Sequence, residues 1–309
     1  MDSPFGLVLR LQVKGLRVIS AFRQGKSSMH LVWKGKMGQK STIMAALFAA
    51  AVVGQTPVQF NQIPSRAVGH AKLQLVSTAP NLVEGREFNS PVGVAVDTSV
   101  SPAILYVADT NNNRVLVWRD ARAATGSTAD FVIGQSDFFA ATSLGPGTPV
   151  SVGLRAPTGV TVDRQGNVYV VDSGNNRILR YARVTEQTDF IQPNLVIGQV
   201  SFSVREPYQG NPLPTAKSLS LSSGSTIFSS TAVVDSAGNL WVADPGNFRV
   251  LRYPASVLGA SAFNGPEADL VLGQTSLTTR EDTEWGRAES RLLKTALRQP
   301  AGVAFDPAG

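Results

Sequence analysis

The sequence predicts an all-β chain of repeated four-stranded antiparallel units, and three observations predict it. One stretch recurs. Residues 156–181 (APTGVTVDRQGNVYVVDSGNNRILRY) return as SPVGVAVDTSVSPAILYVADTNNNRVLVW at 90–118, as TAVVDSAGNLWVADPGNFRVLRY at 231–253 and, in part, as QPAGVAFDPAG at 299–309. Two independent markers then share one period. Asp97, Asp163, Asp235 and Asp306 are 66, 72 and 71 residues apart, while Gly69, Gly134, Gly198 and Gly273, each in or near a V-x-G-Q segment, are 65, 64 and 75 apart. Finally, each unit holds four segments rich in β-branched and aromatic residues, punctuated by Gly, Asn and Asp, and no helical period competes with them. A four-stranded antiparallel unit repeated at this length indicates a β-propeller.

The chain begins with a leader of different character. Residues 1–40 hold eight Lys and Arg against one acid, Asp2. Of 28 basic and 22 acidic residues in the whole chain, 20 and 21 therefore remain beyond it, a net charge of −1. The basic excess that a nucleic-acid surface needs is missing from the folded body. Residues 41–54, STIMAALFAAAVVG, follow Lys34, Lys36 and Lys40. A basic flank, a short apolar core and small closing residues describe an export signal cleaved near Gly54. The run is too short for a spanning helix, which needs about 20 apolar residues. We expect residues 37–54 to be this signal peptide and residues 1–36 to be upstream sequence, with translation starting at Met37 or Met29. Residues 55–309 form the mature body, secreted, periplasmic or cell-surface, with no stable membrane span. It contains no cysteine, so packing rather than disulfides must hold it.

Within the body, strand one reads GVAVD, GVTVD, TAVVD or GVAFD; strand two ILYVAD, NVYVVD or NLWVAD; strand three RVLVW, RILRY or RVLRY; strand four is the V-x-G-Q segment. Three complete blades are expected at about 90–135, 156–199 and 229–274, with partial strands at 66–70 and 300–306. A short surface helix is expected over 287–298. Three inserts, 136–155, 200–229 and 275–298, link strand four to the next strand one. That link and the turn between strands two and three leave an antiparallel blade on the same face. Long loops on a rigid scaffold tend to carry function. The insert face is therefore the expected binding surface, with Phe138, Phe139, Tyr208 and Trp285 among its aromatics.

The patterns P-x-G-V-x-V-D and Y-V-x-D-[ST]-x-N-N-R resemble the NHL repeat family over about residues 60–309, with Pro245 and Phe248 departing from the pattern. The V-x-G-Q strand and the long inserts resemble exported bacterial NHL-repeat proteins. The resemblance implies six blades in a full ring. Three blades and two partial strands cannot close one, so the sequence is expected to be a fragment lacking roughly 150–220 residues.

The repeated polar residues admit two readings. In the turn after strand two, Asp109, Asn112 and Arg114, Asp172, Asn175 and Arg177, and Asp244, Asn247 and Arg249 recur at equal spacing. Asp accepts backbone bonds two or three residues on, Asn and Gly tolerate positive φ, and the Arg fork can bond the Asp. Repetition in every blade favours a structural role over a ligand ring. Asp97, Asp163, Asp235 and Asp306 end the innermost strands; a turn-capping role is expected, and Ca2+ is the one ion for which converging carboxylates leave room. No other cofactor is expected, and no catalytic residue is assigned. His70 is the one histidine after the leader, which opposes a histidine-built metal site or triad. These features point to a non-catalytic scaffold or sensor for a protein, peptide or glycan, with no nucleic acid. The alternative is a metal-dependent propeller enzyme, lactonase-like or lyase-like, with its site at the channel mouth.

Overall fold

The computed structural model describes residues 68–69, 82–145, 152–187, 191–281 and 296–306, together with the backbone of three earlier strands. The chain divides into two units, Met1–Asn61 and Gln62–Gly309. In the first, β1 (Val8–Val13), β2 (Leu16–Arg23) and β3 (Lys26–Trp33) pair antiparallel in the order β1-β2-β3. The export segment 37–54, His70, Trp285 and most of the helix expected at 287–298 lie outside the described residues.

The second unit is a β-propeller segment of three four-stranded blades. The first comprises β4 (Pro91–Asp97), β5 (Ile104–Asp109), β6 (Arg114–Trp118) and β7 (Phe131–Ile133). The second comprises β8 (Gly159–Val162), β9 (Val168–Asp172), β10 (Arg177–Tyr181) and β11 (Leu195–Ile197). A two-residue hairpin in the following insert, β12 (Ser222–Ser223) with β13 (Thr226–Ile227), carries no pattern in the sequence that announces it. The third blade comprises β14 (Ala232–Val234), β15 (Leu240–Asp244), β16 (Arg249–Tyr253) and β17 (Leu270–Leu272). Within each blade sequential strands are spatial neighbours and every pairing is antiparallel. No α-helix occurs among the described residues, and no helix there is long and apolar enough to cross a membrane.

Blades stack because successive side chains of a strand point to opposite faces. In β9, Val168 and Val170 face the first blade while Tyr169 and Val171 face the third. In β10, Leu179 and Tyr181 join the first core and Ile178 the second. The middle blade is thus buried on both faces, which is why its strands read as near-continuous apolar runs. Each such Val, Leu or Ile contributes about 1.5–3 kcal/mol by leaving water. The innermost strands approach closely: a Cβ on Gly93 would lie 2.8 Å from the Gly159 Cα. A glycine is required there by contact, not by conformation.

Two details differ from the sequence expectation. Residues 300–306, expected as a first strand, form no ladder among the described residues; the Val303 N–H donates to Thr231 Oγ1 at 3.4 Å rather than to a carbonyl. A strand exists only against a partner, and none of the described residues pairs with it. Of the partial strand at 66–70, the described residues show an isolated parallel bridge from Gly69 to Glu87.

Candidate functional site

The turns after strand two are built three times from the same bonds. Asp109, Asp172 and Asp244 accept on Oδ2 from the side-chain amide three residues on (Asn112, Asn175, Asn247, all 2.8 Å) and from the arginine Nε five residues on (Arg114 2.8 Å, Arg177 2.7 Å, Arg249 2.7 Å). All six charged side chains of these pairs are 0% exposed. A buried ion pair is tolerable only when its remaining donors and acceptors are filled. Here the inserts fill them. On Oδ1 each Asp accepts a backbone N–H from the segment entering its blade: Asn89 at 2.6 Å, Arg155 at 2.8 Å and Ser220 at 2.8 Å.

Each arginine then reaches the insert leaving its blade and the segment arriving at it. Nη1 donates to a carbonyl of the insert leaving the blade: Phe138 (2.6 Å) for Arg114, Phe202 for Arg177, and Leu277 (2.5 Å) for Arg249. Nη2 donates to the segment arriving: Glu87 (3.3 Å), Gly153 (2.8 Å) and Ser218 (2.8 Å) respectively. The Asp, Asn and Arg singled out by the sequence are thus brought together, and the long inserts are brought to them on the expected face.

Two residue sets belong to this network that the spacing argument passes over. The glutamine of V-x-G-Q follows a glycine at positive φ (Gly134 89°, Gly198 88°, Gly273 91°), which turns the chain out of strand four. Its amide donates to the backbone of the turn (Asn113 2.9 Å, Asn176 2.8 Å, Phe248 3.3 Å) and to the insert (Thr142 2.9 Å, Glu206 3.0 Å, Glu281 3.1 Å). The second set precedes the arginine: Asn113, Asn176 and Phe248, left-handed at φ 53°, 51° and 55°. Asn113 Oδ1 accepts the Ala156 N–H at 2.9 Å, and Asn176 Oδ1 accepts those of Leu221 and Ser222 at 2.8 Å each. The second Asn of N-N-R thereby ties the first and second blades each to the chain entering the next. Its signal was the repetition itself, together with the tolerance of Asn for left-handed backbone.

Asp163 and Asp235 lie at the opposite ends of the blades and bond locally. Asp163 accepts from the N–H groups of Gln165 and Asn167 (2.9 Å each), Asn167 Nδ2 (2.8 Å) and Tyr169 Oη (3.3 Å). Asp235 accepts from Ala237 and Asn239 N–H, Asn239 Nδ2 and Trp241 Nε1, each at 2.9 Å. Burial pushes the Asp235 carboxyl up, and these donors outweigh it and leave the group below the ordinary carboxylate range. Asp97 caps through Ser99 and also accepts from Arg183 of the second blade at 3.3 Å. Among the described residues no three of His, Cys, Asp and Glu converge as a metal cluster would require.

On the insert face, a cavity of about 400 Å3 opens beside the second blade's turn. Arg155, Asn175, Asn176, Arg205 and Glu206 line it, with Ser143 and Leu144 from the preceding insert. Of the aromatics expected on this face, Phe139 is 76% exposed, whereas Phe138 packs into the first blade's outer core.

Comparison with known proteins places a family label on the middle blade. The NHL repeat family matches residues 154–181, from the end of the first insert through β10. The comparison with curated proteins found no match. Among solved structures, the chain is similar to a Lactobacillus plantarum protein at 15% identity, TM-score 0.35, covering 60% of this chain and 42% of that one. The chain therefore spans less than half the length of that protein. It is also similar to a catalytically inactive virginiamycin B lyase from Staphylococcus aureus, solved with quinupristin (12% identity, TM-score 0.33, 89% and 76% coverage). A third likeness is to a gluconolactonase from Xanthomonas campestris (15% identity, TM-score 0.21, 56% and 75% coverage). Likenesses this weak carry no argument about activity.

Proposed function

We propose that this chain, which carries an NHL repeat in a β-propeller scaffold, is a non-catalytic binding module whose ligand lies across the insert face. The observation that carries this reading is the anchoring of three inserts to one row of buried Asp–Arg pairs. The first two inserts are held at both ends and the third at the end leaving its blade, which makes a surface rather than loose connections, and binding residues concentrate on such loops. The opposite face offers less: the lone pairs of Asp163 and Asp235 are already engaged by their own turns. With residues 37–54 read as an export signal, the ligand is a protein, peptide or glycan outside the cytoplasm.

The test is amide exchange on the full chain with bound peptides and glycans selected from arrays. Protection is expected in the inserts at 136–145 and 200–229. Protection confined to the turns around Asp163 and Asp235 would overturn the reading.

A further inference from the structure

The three turns are near-copies, so a difference between them at one blade is informative. Arg155 occupies the position held by Asn89 in the first blade and Ser220 in the third: each donates its N–H to the turn aspartate. Arg205 and Arg280 also correspond, since each directly precedes the glutamate whose carbonyl accepts from the V-x-G-Q glutamine. In the third blade Arg280 is satisfied. Its Nε donates to the Gly246 carbonyl at 2.7 Å, and its guanidinium lies 5.2 Å from the centre of the Phe248 ring. In the second blade both supports are gone. Asn176 replaces the ring, and the equivalent carbonyl, that of Gly174, already accepts from Arg155 Nη1 at 3.4 Å. The half-buried Arg205 guanidinium consequently donates to no group among the described residues, and Arg155 makes that single long bond.

Exposed Arg155 and half-buried Arg205 line the same cavity of about 400 Å3, and their backbones are fixed. The Arg155 N–H is held by Asp172 at 2.8 Å, and the Arg205 carbonyl accepts from Asn176 Nδ2 at 3.0 Å. Two rigidly rooted arginine forks with free donors form a receptor for a planar oxyanion. Glu206, exposed and also lining the cavity, forms no ion pair with either arginine among the described residues. It lowers the local charge to about that of one arginine, which disfavours a dianion and provides an acceptor for an amide N–H. No aromatic ring lines the cavity to stack against a sugar.

The geometry points to a carboxylate-binding site between Arg155 and Arg205 that takes an acidic peptide, with Glu206 receiving the peptide's N–H. This deepens the binding-module reading and rests on it. The experiment is calorimetric titration of the full chain with N-acetyl-aspartate N-methylamide, a peptide unit with a single carboxylate, its neutral asparagine analogue, glucuronate and inorganic phosphate. The acidic peptide is expected to bind with a dissociation constant on the order of 1 mM or below, weakening with salt, and the neutral analogue not to bind. Arg155→Ala and Arg205→Ala should each weaken binding at least about tenfold, and Arg205→Lys, which keeps the charge but loses the fork, should weaken it less. Arg280→Ala should leave binding unchanged. Circular dichroism of each variant checks that the sheets remain. No binding by the acidic peptide, indifference to both arginines, or equal binding of glucuronate or phosphate would overturn the inference. A ligand that protects the insert face without needing Arg155 or Arg205 would leave the proposed function standing and remove only this site.

Discussion

Asp163 and Asp172 cap the two ends of one blade by opposite means. The Asp163 carboxylate bonds only to residues two, four and six positions ahead, and the residue stays partly exposed. Asp172 is wholly buried, accepts from Arg155 seventeen residues back, and holds an arginine that grips Gly153 and Phe202. One end of the blade is therefore built mainly of local turns, with Arg183 linking it to Asp97 and Ser99 of the first blade. The other is a cross-linked layer in which turns, inserts and neighbouring blades share acceptors. Thr110 Oγ1 donates to the Pro157 carbonyl and Thr158 Oγ1 to that of Ser230, continuing the layer from blade to blade.

The contrast is broken most directly at the buried pairs. Asp172→Ala or Arg177→Ala leaves an uncompensated buried charge and should lower unfolding free energy by about 3–5 kcal/mol, measured in denaturant. Similar losses are expected for Asp244→Ala and Arg249→Ala. Asn176→Ala orphans the Leu221 and Ser222 N–H groups and should lower stability by about 2–3 kcal/mol. Asn113→Ala, which orphans only that of Ala156, should lower it by about 1–2 kcal/mol. At the local end, Asp163→Ala should lower stability by only about 1 kcal/mol, because its freed N–H groups lie near solvent. An equal effect at Asp163 and Asp172 would dissolve the distinction.

The smallest effect is one of pH. The donors around Asp235 hold its folded pKa below the unfolded one. The stability it contributes is complete above the ordinary carboxylate range, near pH 4, and is lost as pH falls through the lower folded value. Trp241→Phe removes the indole donor but keeps a ring beside Phe305. Its urea midpoint should fall slightly below the parent's at about pH 7, and the gap should close in acid at about pH 2.

Much of the fold was legible because its signals are local. The Gly166-Asn167 and Gly238-Asn239 turns, the Val-rich strands and the recurring aspartates all act within a few residues, and repetition averages away their noise. The Asp109–Arg114 spacing was legible for the same reason. The partners of those residues were not. Phe138, Phe202 and Leu277 bind the arginines through main-chain carbonyls 24 to 28 residues away, and the bond itself leaves no trace in a sequence, although each side chain packs against a core. The cavity at Arg155 and Arg205 was illegible on different grounds: neither residue belongs to the repeat, and their meaning lies in how the copies differ.

That the inserts are gripped by their carbonyls has an evolutionary consequence. The side chains of Phe138, Phe202 and Leu277 also pack against the cores, so each anchor asks for an apolar residue four positions after the strand-four glycine and for little beyond it. The segments between anchor points can exchange almost every side chain while their ends stay in register with the blade. The repeat thus behaves as a socket into which cassettes of unrelated composition fit, and new specificity can arise without renegotiating the core.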